Sequence, residues 1–204
     1  MNTRRDFLRN TTISLAGIPL LALMHCREET TSPAVTCRTG QDILGPFYRA
    51  EAPFRTALNV LNEVGTPILI RGQVLSSRDC TTPLREAVVD VWHADHQGEY
   101  DNTSSDFKFR GRINTDAQGY YEFMSILPAR YDNGGQLRPR HIHYRVLAPE
   151  HEELITQLYF EGDEYISDDP WASEADPGRI IPLHDQGEIL EGEFIIYMHP
   201  FSAS

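Results

Sequence analysis

The chain has little cysteine, little positive charge and no long apolar run. Its 204 residues include three cysteines, and 18 Lys and Arg stand against 30 Asp and Glu, for a net charge of −12. A surface this acidic argues against nucleic acid as a partner and against direct adhesion to anionic lipid. It also repels anionic aromatic acids unless local arginines reverse the field. No apolar run approaches the roughly 20 residues that a membrane-spanning helix needs.

The first 25 residues have the pattern of an export leader. Residues 3–9, Thr-Arg-Arg-Asp-Phe-Leu-Arg, match a twin-arginine signal, and the apolar run 13–24 has the length of a signal core. Cys26 follows directly, which predicts cleavage before it and a lipid on its thiol, as in bacterial lipoproteins. His25 stands where a small residue is usual, so simple secretion is the alternative. Either way we expect a periplasmic or membrane-anchored protein exported by the twin-arginine route.

The organisation we expect is a signal peptide (1–25), a linker (26–40) and one domain (41–204). With Cys26 set aside as the candidate lipidation site, Cys37 and Cys80 remain as an even pair in a chain bound for an oxidising compartment. A disulfide is the simplest use for them, and it would tie the arm before residue 41 to the loop 76–83. Thiolate ligation of a metal is the competing interpretation.

Short segments of alternating apolar residues, bounded by Gly, Pro, Asn or Asp, predict an all-β domain. Within the segment 141–147, alternation puts His141, His143 and Arg145 on one face and Ile142, Tyr144 and Val146 on the other. One face can therefore pack while the other binds. The predicted strands are 68–75, 88–92, 121–126, 142–147, 154–160 and 194–198.

Residues 138–143, Arg-Pro-Arg-His-Ile-His, contain the clearest candidate for a metal site. Side chains at i and i+2 leave a strand on the same face, with Cα atoms about 7 Å apart. His141 and His143 can therefore converge on one ion, about 2.0–2.1 Å from each imidazole. A strand with two polar residues on its solvent face gives the same spacing, so the neighbouring residues must decide.

Two tyrosines supply that context. Tyr100 ends the segment 89–100, and Tyr131 lies ten residues before His141. A phenol with an ordinary pKa near 10 is a poor ligand for a divalent ion, whereas a hard trivalent cation can remove its proton and hold the phenolate. Two tyrosines with two histidines therefore favour iron(III).

At this point the chain resembles the intradiol ring-cleavage dioxygenases, which include catechol 1,2-dioxygenase and protocatechuate 3,4-dioxygenase. The resemblance covers most of the chain from about residue 41 to 200 and rests on several blocks in the family's order. The blocks are Leu-Gly-Pro-Phe-Tyr (44–48), Ala-Val-Val-Asp-Val-Trp-His-Ala-Asp (87–95), Arg-Gly-Arg (110–112), Asp-Ala-Gln-Gly-Tyr-Tyr (116–121), Ile-Leu-Pro-Ala-Arg-Tyr (126–131), residues 138–143 and Thr-Gln-Leu-Tyr-Phe-Glu-Gly-Asp (156–163).

The resemblance implies a transthyretin-like β-sandwich with long loops around one non-haem iron(III) per chain. Its ligands would be Tyr100, Tyr131, His141 and His143. Arg138 would stand beside the iron as a cation that stabilises charge on a bound catecholate, with Gln157 lining the pocket next to it.

The implied reaction uses a catechol and O2 and opens the ring between the two hydroxyl-bearing carbons, giving a cis,cis-muconate type diacid. Tyr100 would take a catechol proton, and Arg138 and Gln157 would complete the catalytic set. Ile43 and Pro46, together with Arg138, are expected to border the ring of the substrate.

The chain departs from the family pattern in three ways. The interval from Tyr131 to His141 is short, which leaves the choice of catechol open. About fifteen residues lie between the leader and Gln41, so a helical dimerisation segment like that of catechol 1,2-dioxygenases has no room, and any homo-oligomer would be built differently. One chain carries all four ligands, whereas protocatechuate enzymes divide the fold between two chains.

Two other functions stay open. A non-catalytic binding module can use the same sandwich, and a zinc hydrolase could combine the two histidines with Asp95 or Glu99. The identity of the bound metal separates these alternatives.

The remaining conspicuous residues are expected to be structural. Residues 101–106 suit a polar loop, Trp92 suits the core, and residues 168–178 suit a loop beside the pocket. The histidines without a second ligand at useful spacing are His93, His96, His151, His184 and His199, and the tyrosines expected to pack are Tyr120, Tyr121, Tyr144 and Tyr159.

Overall fold

The structure is a computed structural model that describes residues 37–202. The predicted signal peptide, the lipidation site Cys26 and the linker up to residue 36 lie outside the described residues. Among residues 37–202, no helix has both the length and the apolar character needed to cross a membrane.

Strands dominate the described part of the chain. The region predicted as a loop beside the pocket, 168–178, contains the short 3-10 helix Ala172–Glu174 and overlaps a second one, Pro177–Arg179. The strands are β1 Pro67–Ser76, β2 Val88–Trp92, β3 Arg110–Asn114, β4 Tyr120–Ile126, β5 Tyr131–Asp132, β6 Leu137–Arg138, β7 His141–Leu147, β8 Leu154–Phe160, β9 Ile180–Ile181, β10 His184–Asp185, β11 Leu190–Glu193 and β12 Ile196–Met198.

Two five-stranded sheets enclose one core, which confirms the predicted all-β sandwich. In the first sheet β1 pairs antiparallel with β4 and parallel with β11 and β12, and β10 extends it beyond β11. The second sheet has the order β3-β2-β7-β8-β9. Apolar side chains of both sheets meet in a single buried cluster, including Ile70 and Phe123 from the first and Val91 and Tyr144 from the second.

The predicted strand 194–198 is shorter than expected because the chain leaves the ladder at Phe194. The Phe194 carbonyl accepts a hydrogen bond from the Tyr121 hydroxyl at 2.9 Å, and the Phe194 ring is fully buried. A Cβ at position 72 would lie 1.8 Å from that carbonyl oxygen, so only glycine fits there. The ladder with β1 therefore divides into β11 before Phe194 and β12 after it.

Strand β7 carries the alternation that places the site. Ile142, Tyr144 and Val146 are fully buried between the sheets. His141 and His143 leave the opposite face, as alternation requires. The candidate site therefore lies on the outer face of the second sheet, where loops cover it, and not in the core of the sandwich.

Candidate metal centre

Neighbouring strands of the second sheet bring the site residues side by side. Opposite His143 stand Trp92 on β2 and Gln157 on β8, and opposite His141 stands Tyr159 on β8. Directly paired residues on one face of an antiparallel sheet have Cβ atoms about 4.5–5.5 Å apart. The ladder register therefore builds a contiguous polar and aromatic surface around the two histidines.

A tight turn after β2 returns the chain over this surface and delivers Tyr100. The Asp95 carboxylate accepts the backbone N–H groups of Gln97 and Glu99 at 2.8 and 2.9 Å. Gly98 has φ of +90°, and a Cβ there would lie 2.5 Å from the Arg130 carbonyl oxygen, so the turn needs glycine. The Tyr100 hydroxyl then lies 3.2 Å from Nε2 of His141 and 3.1 Å from Nε2 of His143.

The two imidazoles are oriented by different contacts. Nδ1 of His141 donates to the Pro139 carbonyl at 2.7 Å, which fixes the tautomer with a lone pair on Nε2. The His143 ring stacks on Trp92, with centroids 4.9 Å apart and an interplanar angle of 5°. A Cβ at Gly45 would lie 3.1 Å from Cε1 of His143, so a residue without a side chain lets the arm pass over the ring.

Burial keeps all three groups neutral in the absence of a cation. It lowers the pKa of His141 to about 4, with the nearby Arg138 charge acting in the same direction, and it lowers the pKa of His143 well below its ordinary value. Burial also raises the pKa of Tyr100 well above that of an ordinary phenol, although Arg138 and Arg110 oppose this. Both imidazoles can therefore offer lone pairs at neutral pH, whereas the phenol needs a strong cation to lose its proton.

These donors fit a metal ion. Two ligands that each lie about 2.0–2.1 Å from one ion, at angles of 90° to 110°, are separated by roughly 2.9–3.4 Å, which matches the two distances from Tyr100. Nδ1 of His143 is buried without a hydrogen-bond partner, so no protein acceptor fixes the proton of this ring. A cation held by the two Nε2 atoms and the phenolate oxygen would fit these three donors, and a hard cation suits the phenolate oxygen.

Tyr131 lies beside these three groups with its hydroxyl turned elsewhere. Its ring meets that of Tyr100 edge to face, with centroids 5.6 Å apart, and its hydroxyl donates to Oδ1 of Asn133 at 3.3 Å. Burial raises the pKa of Tyr131, the Arg138 charge lowers it, and the carboxylates of Asp132 and Glu99 raise it again. The structure thus brings Tyr100, His141 and His143 together, and ligation by Tyr131 stays a prediction.

Arg138 is buried and fixed by several acceptors. Its Nε and one terminal nitrogen donate to the two carboxylate oxygens of Asp169 at 2.7 and 3.1 Å, and the same terminal nitrogen lies 3.2 Å from Oε1 of Gln157. The guanidinium also covers the Trp171 ring at 4.5 Å. Gln157 in turn accepts from the Tyr159 hydroxyl and donates to the Ile43 carbonyl. Arg138 and Gln157 therefore form one network behind the histidines.

The N-terminal arm, residues 37–48, covers the site. Phe47 stacks on the Tyr100 ring with centroids 4.4 Å apart, and Tyr48 meets Trp92 edge to face at 5.0 Å. The start of the arm is tied by a disulfide between Cys37 and Cys80, whose Cα atoms are 5.7 Å apart. The arm is thus held at its start by a covalent bond and at its end by aromatic contacts around the site.

A cleft of about 270 Å³ opens beside the two tyrosines. Ile43 is half-buried and Pro46 is exposed, and neither is among the described residues that line this cleft, so their contact with a substrate stays a prediction. The lining residues are Phe47, Gln97, Gly98, Glu99, Tyr100, Asn102, Arg130, Tyr131, Asp132 and Leu137. Larger clefts elsewhere on the molecule contain none of the predicted ligands.

Several residues outside the predicted ligand set prove to be part of the site or of its support. Asp169 and Trp171 come from the loop 168–178 and hold Arg138, and Tyr159, expected only to pack, joins the Gln157 network. The acidic and aromatic residues of that loop were the sequence feature that could have indicated a contact with Arg138. Trp92 is buried as expected, and it also forms the stacking surface of His143.

Other expectations have mixed outcomes. His93 is buried with both ring nitrogens bonded, to the Ala94 carbonyl and the Ser125 hydroxyl, as a structural histidine should be. Tyr120 does not pack, because its position on β4 faces solvent and its side chain is 54% exposed. The carboxylate of Asp95, a candidate zinc ligand, lies with Glu63 and His96 and not with the paired histidines.

Two imidazoles and a phenol converging on the outer face of a β-sandwich define a candidate mononuclear metal centre. A family profile described as dioxygenase matches residues 43–194. The chain belongs to the intradiol ring-cleavage dioxygenase family.

Individual relatives agree with this assignment. Catechol 1,2-dioxygenase 2 of Acinetobacter lwoffii is 36% identical over 171 residues, covering 74% of this chain and 61% of that protein. Chlorocatechol 1,2-dioxygenase of Rhodococcus opacus is 36% identical over 156 residues, covering 64% of this chain and 60% of that protein. The chain thus spans about three fifths of the length of these two relatives.

A solved structure supports the fold over most of this chain. The dioxygenase domain of a dioxygenase and carbohydrate-binding protein fusion from Streptomyces sp. SirexAA-E superposes with a TM-score of 0.72 at 33% identity. The match covers 80% of this chain and 99% of that domain.

Proposed function

We propose that this protein is a non-haem iron(III) dioxygenase that opens the ring of a catechol between its two hydroxyl-bearing carbons. The products would be cis,cis-muconate type diacids that contain both atoms of O2. The observation that carries the proposal is the convergence of the Tyr100 hydroxyl with the Nε2 atoms of His141 and His143 in a buried, neutral site. The names of the relatives support catechols as the substrate class.

The chain's own residues would divide the work. His141 and His143 would hold the iron with Tyr100 and Tyr131, and iron(III) when bound would draw electron density from a catecholate so that the ring can react with O2. The Tyr100 oxygen would accept a proton from a catechol hydroxyl. Arg138, whose orientation is fixed by Asp169 and Gln157, would stabilise negative charge on the substrate. Trp92 and Phe47 would exclude water from the histidines and from Tyr100.

The proposal also includes a cellular location. The leader predicts export by the twin-arginine route, which carries folded proteins and would suit a metal loaded before export. The pairing of Cys37 with Cys80 supports an oxidising compartment as the destination. A lipid on Cys26 would leave the domain at a membrane surface, and secretion without lipid remains the alternative.

The direct test is the visible absorption spectrum of the iron-loaded protein, recorded before and after anaerobic addition of catechol. A tyrosinate-to-iron(III) band that shifts with catechol and weakens in Tyr131→Phe is the expected result. Tyr120→Phe is the matched control, because this exposed tyrosine lies on β4 in the first sheet, whereas the predicted histidine ligands lie on β7 in the second.

Metal analysis on the same samples completes the test. About one iron per chain, with O2 consumption on addition of catechol, is expected. A protein that stays colourless after iron loading and consumes no O2 would contradict the dioxygenase assignment and favour a binding module on the same sandwich.

A further inference from the structure

The cleft beside Tyr100 and Tyr131 has an unbalanced set of charges. Glu99 directly precedes one tyrosine and Asp132 directly follows the other, and both side chains are exposed where they line the cleft. Among the described residues that line it, Arg130 carries the one positive charge. The sign of the field at the cleft therefore depends on whether Arg130 is free.

Arg130 is not free, because carboxylates outside the cleft already engage it. Its Nε lies 3.2 Å from Oδ1 of Asp163, and a terminal nitrogen lies 3.2 Å from the same oxygen and 3.4 Å from Glu164. The guanidinium also covers the Tyr165 ring at 4.5 Å. The carboxylates of Asp163 and Glu164 therefore already offset most of the positive charge that Arg130 brings to the cleft.

Arg138 cannot reverse the field for a ring substituent either. Its fork is closed by a bidentate pair with Asp169 and its face is covered by Trp171. Only 3% of the residue is exposed. Its charge acts on the predicted ligands from a buried position, while the carboxylates of Glu99 and Asp132 are exposed and line the cleft itself.

We propose that Glu99 and Asp132 are specificity-determining residues that make the cleft select catechols with neutral or cationic ring substituents and discriminate against carboxylated ones. This inference rests on the proposed function, since it concerns the substrate class of the same site. The acidity of the whole chain works in the same direction, and the structure supplies no unpaired arginine at the described cleft to oppose it.

The size of the effect follows from Coulomb's law. Two unit charges about 7 Å apart in a water-like medium change binding by roughly threefold, and by more where the protein displaces water. Two carboxylates should therefore shift the preference between a neutral and a singly anionic substrate by roughly tenfold. Screening should reduce the effect at high salt, because the Debye length falls from about 10 Å at 0.1 M to about 3 Å at 1 M.

The experiment compares three catechols that carry a methyl, a carboxylate or an aminoethyl group at the same ring position. For each, kcat/KM is measured by O2 uptake and binding by the visible band under anaerobic conditions. The proteins are the wild type, Glu99→Gln, Asp132→Asn and the double variant, all iron-loaded. Glu122→Gln, an exposed residue on β4 away from the cleft, is the control for a general loss of negative charge.

In the wild type, the methyl compound should exceed the carboxylate compound in kcat/KM. The double variant should reduce that ratio roughly tenfold, and each single variant should reduce it less. The kcat/KM of the aminoethyl compound should fall in the double variant. Glu122→Gln should leave all ratios within about twofold. Ratios that stay within about twofold in the double variant, while all three catechols turn over, would overturn the inference and leave the proposed function intact.

A different outcome would identify a failure of the function itself. If none of the three catechols shifts the visible band or consumes O2 in any variant, the proposed function fails and the charge preference fails with it.

Discussion

Arg138 is held by a geometry that only an arginine can satisfy. Its planar fork binds Asp169 through two nitrogens while one of them also reaches Gln157, and its face stacks on Trp171. Arg138→Lys keeps the charge but loses the fork and the stacking. We expect kcat for a catechol to fall on the order of 100-fold, as when one preorganised charge-stabilising donor is lost. Iron per chain should be unchanged, since Arg138 is not a predicted ligand.

Initial rates and metal analysis on the same preparation check this prediction. Arg140→Lys is the matched control, because the Arg140 side chain is half-exposed and its contact with Asp163 is 3.7 Å long. Its rate should stay within about twofold of the wild type. A loss of iron in Arg138→Lys, with a normal rate per bound iron, would show that Arg138 holds the site together and does not stabilise charge.

His93 should make stability depend on pH. Burial lowers its pKa to about 4, from an ordinary value of 6.5. Between these values the unfolded chain binds a proton that the folded protein excludes, so stability is lost as pH falls from 6.5 to 4. The wild type should lose on the order of 3 kcal/mol more than His93→Gln between pH 7 and pH 4.

Urea unfolding of the metal-free proteins across this range measures the difference. His141 and His143 also have lowered pKa values. Both are present in the wild type and in His93→Gln, so their contributions to the pH dependence cancel in the comparison. Parallel stability curves for the wild type and His93→Gln would show that His93 accepts a proton in the folded state at little cost.

At this scale, the sequence predicts residues whose chemistry depends on local spacing. The two histidines are two positions apart on one strand, so alternation alone places them together. Asp169 and Trp171 could not be assigned to Arg138, because they are about thirty residues away and reach it through a loop with no periodic pattern. The direction of the Tyr131 hydroxyl depends on the local hydrogen bond to Asn133, which spacing does not reveal.

The strands that alternation predicted are those that face the core. β2, β7 and β8 match the predicted bounds within about one residue. β3, with the sequence Arg-Gly-Arg-Ile-Asn, was missed because its stability comes from pairing with β2 and not from an apolar pattern. β11 was missed for the same reason, since it contains two glutamates and a glycine and depends on its parallel partner β1.

The N-terminal arm is an element without regular structure, so the disulfide should contribute strongly to its stability. The bridge closes a loop with a sequence separation of 43 residues. Removing it with Cys37→Ser and Cys80→Ser should cost about 2–4 kcal/mol through the entropy of the unfolded chain. For a domain of this size that corresponds to a fall in Tm of roughly 5–15 °C.

The arm also carries contacts to the site, so its release should weaken metal binding. Gly45 passes against His143 and Phe47 stacks on Tyr100. Thermal unfolding and the rate of iron loss to a chelator measure the two effects together. Reduced wild type should behave like the double serine variant, whereas equal Tm and equal iron loss in all three samples would mean that noncovalent contacts hold the arm alone.

On the scale of the whole molecule, the core and the site lie on opposite faces of the second sheet. The inner face of β7 supplies Ile142, Tyr144 and Val146 to the core, and its outer face supplies the two histidines. The core therefore fixes the spacing of the ligands without contacting them. Loops 95–100 and 168–178 and the arm complete the site, through Tyr100, Asp169 and Phe47 respectively.

The first 36 residues lie outside the described structure, and their predicted role is to direct the export of the folded domain. Expressed with its leader in a bacterium that has the twin-arginine system, the chain should be found in the membrane fraction of the cell envelope, processed before Cys26. Arg4→Lys with Arg5→Lys should leave the unprocessed protein in the cytoplasm, because the twin arginines are the recognition element of that route. Cys26→Ser should still be exported but should move to the soluble periplasmic fraction, since one thiol would carry the lipid anchor.

Fractionation with mass spectrometry of the mature N-terminus measures all three proteins. A wild type that is soluble in the periplasm and begins at another residue would favour simple secretion, and export that persists without the arginine pair would contradict the twin-arginine assignment.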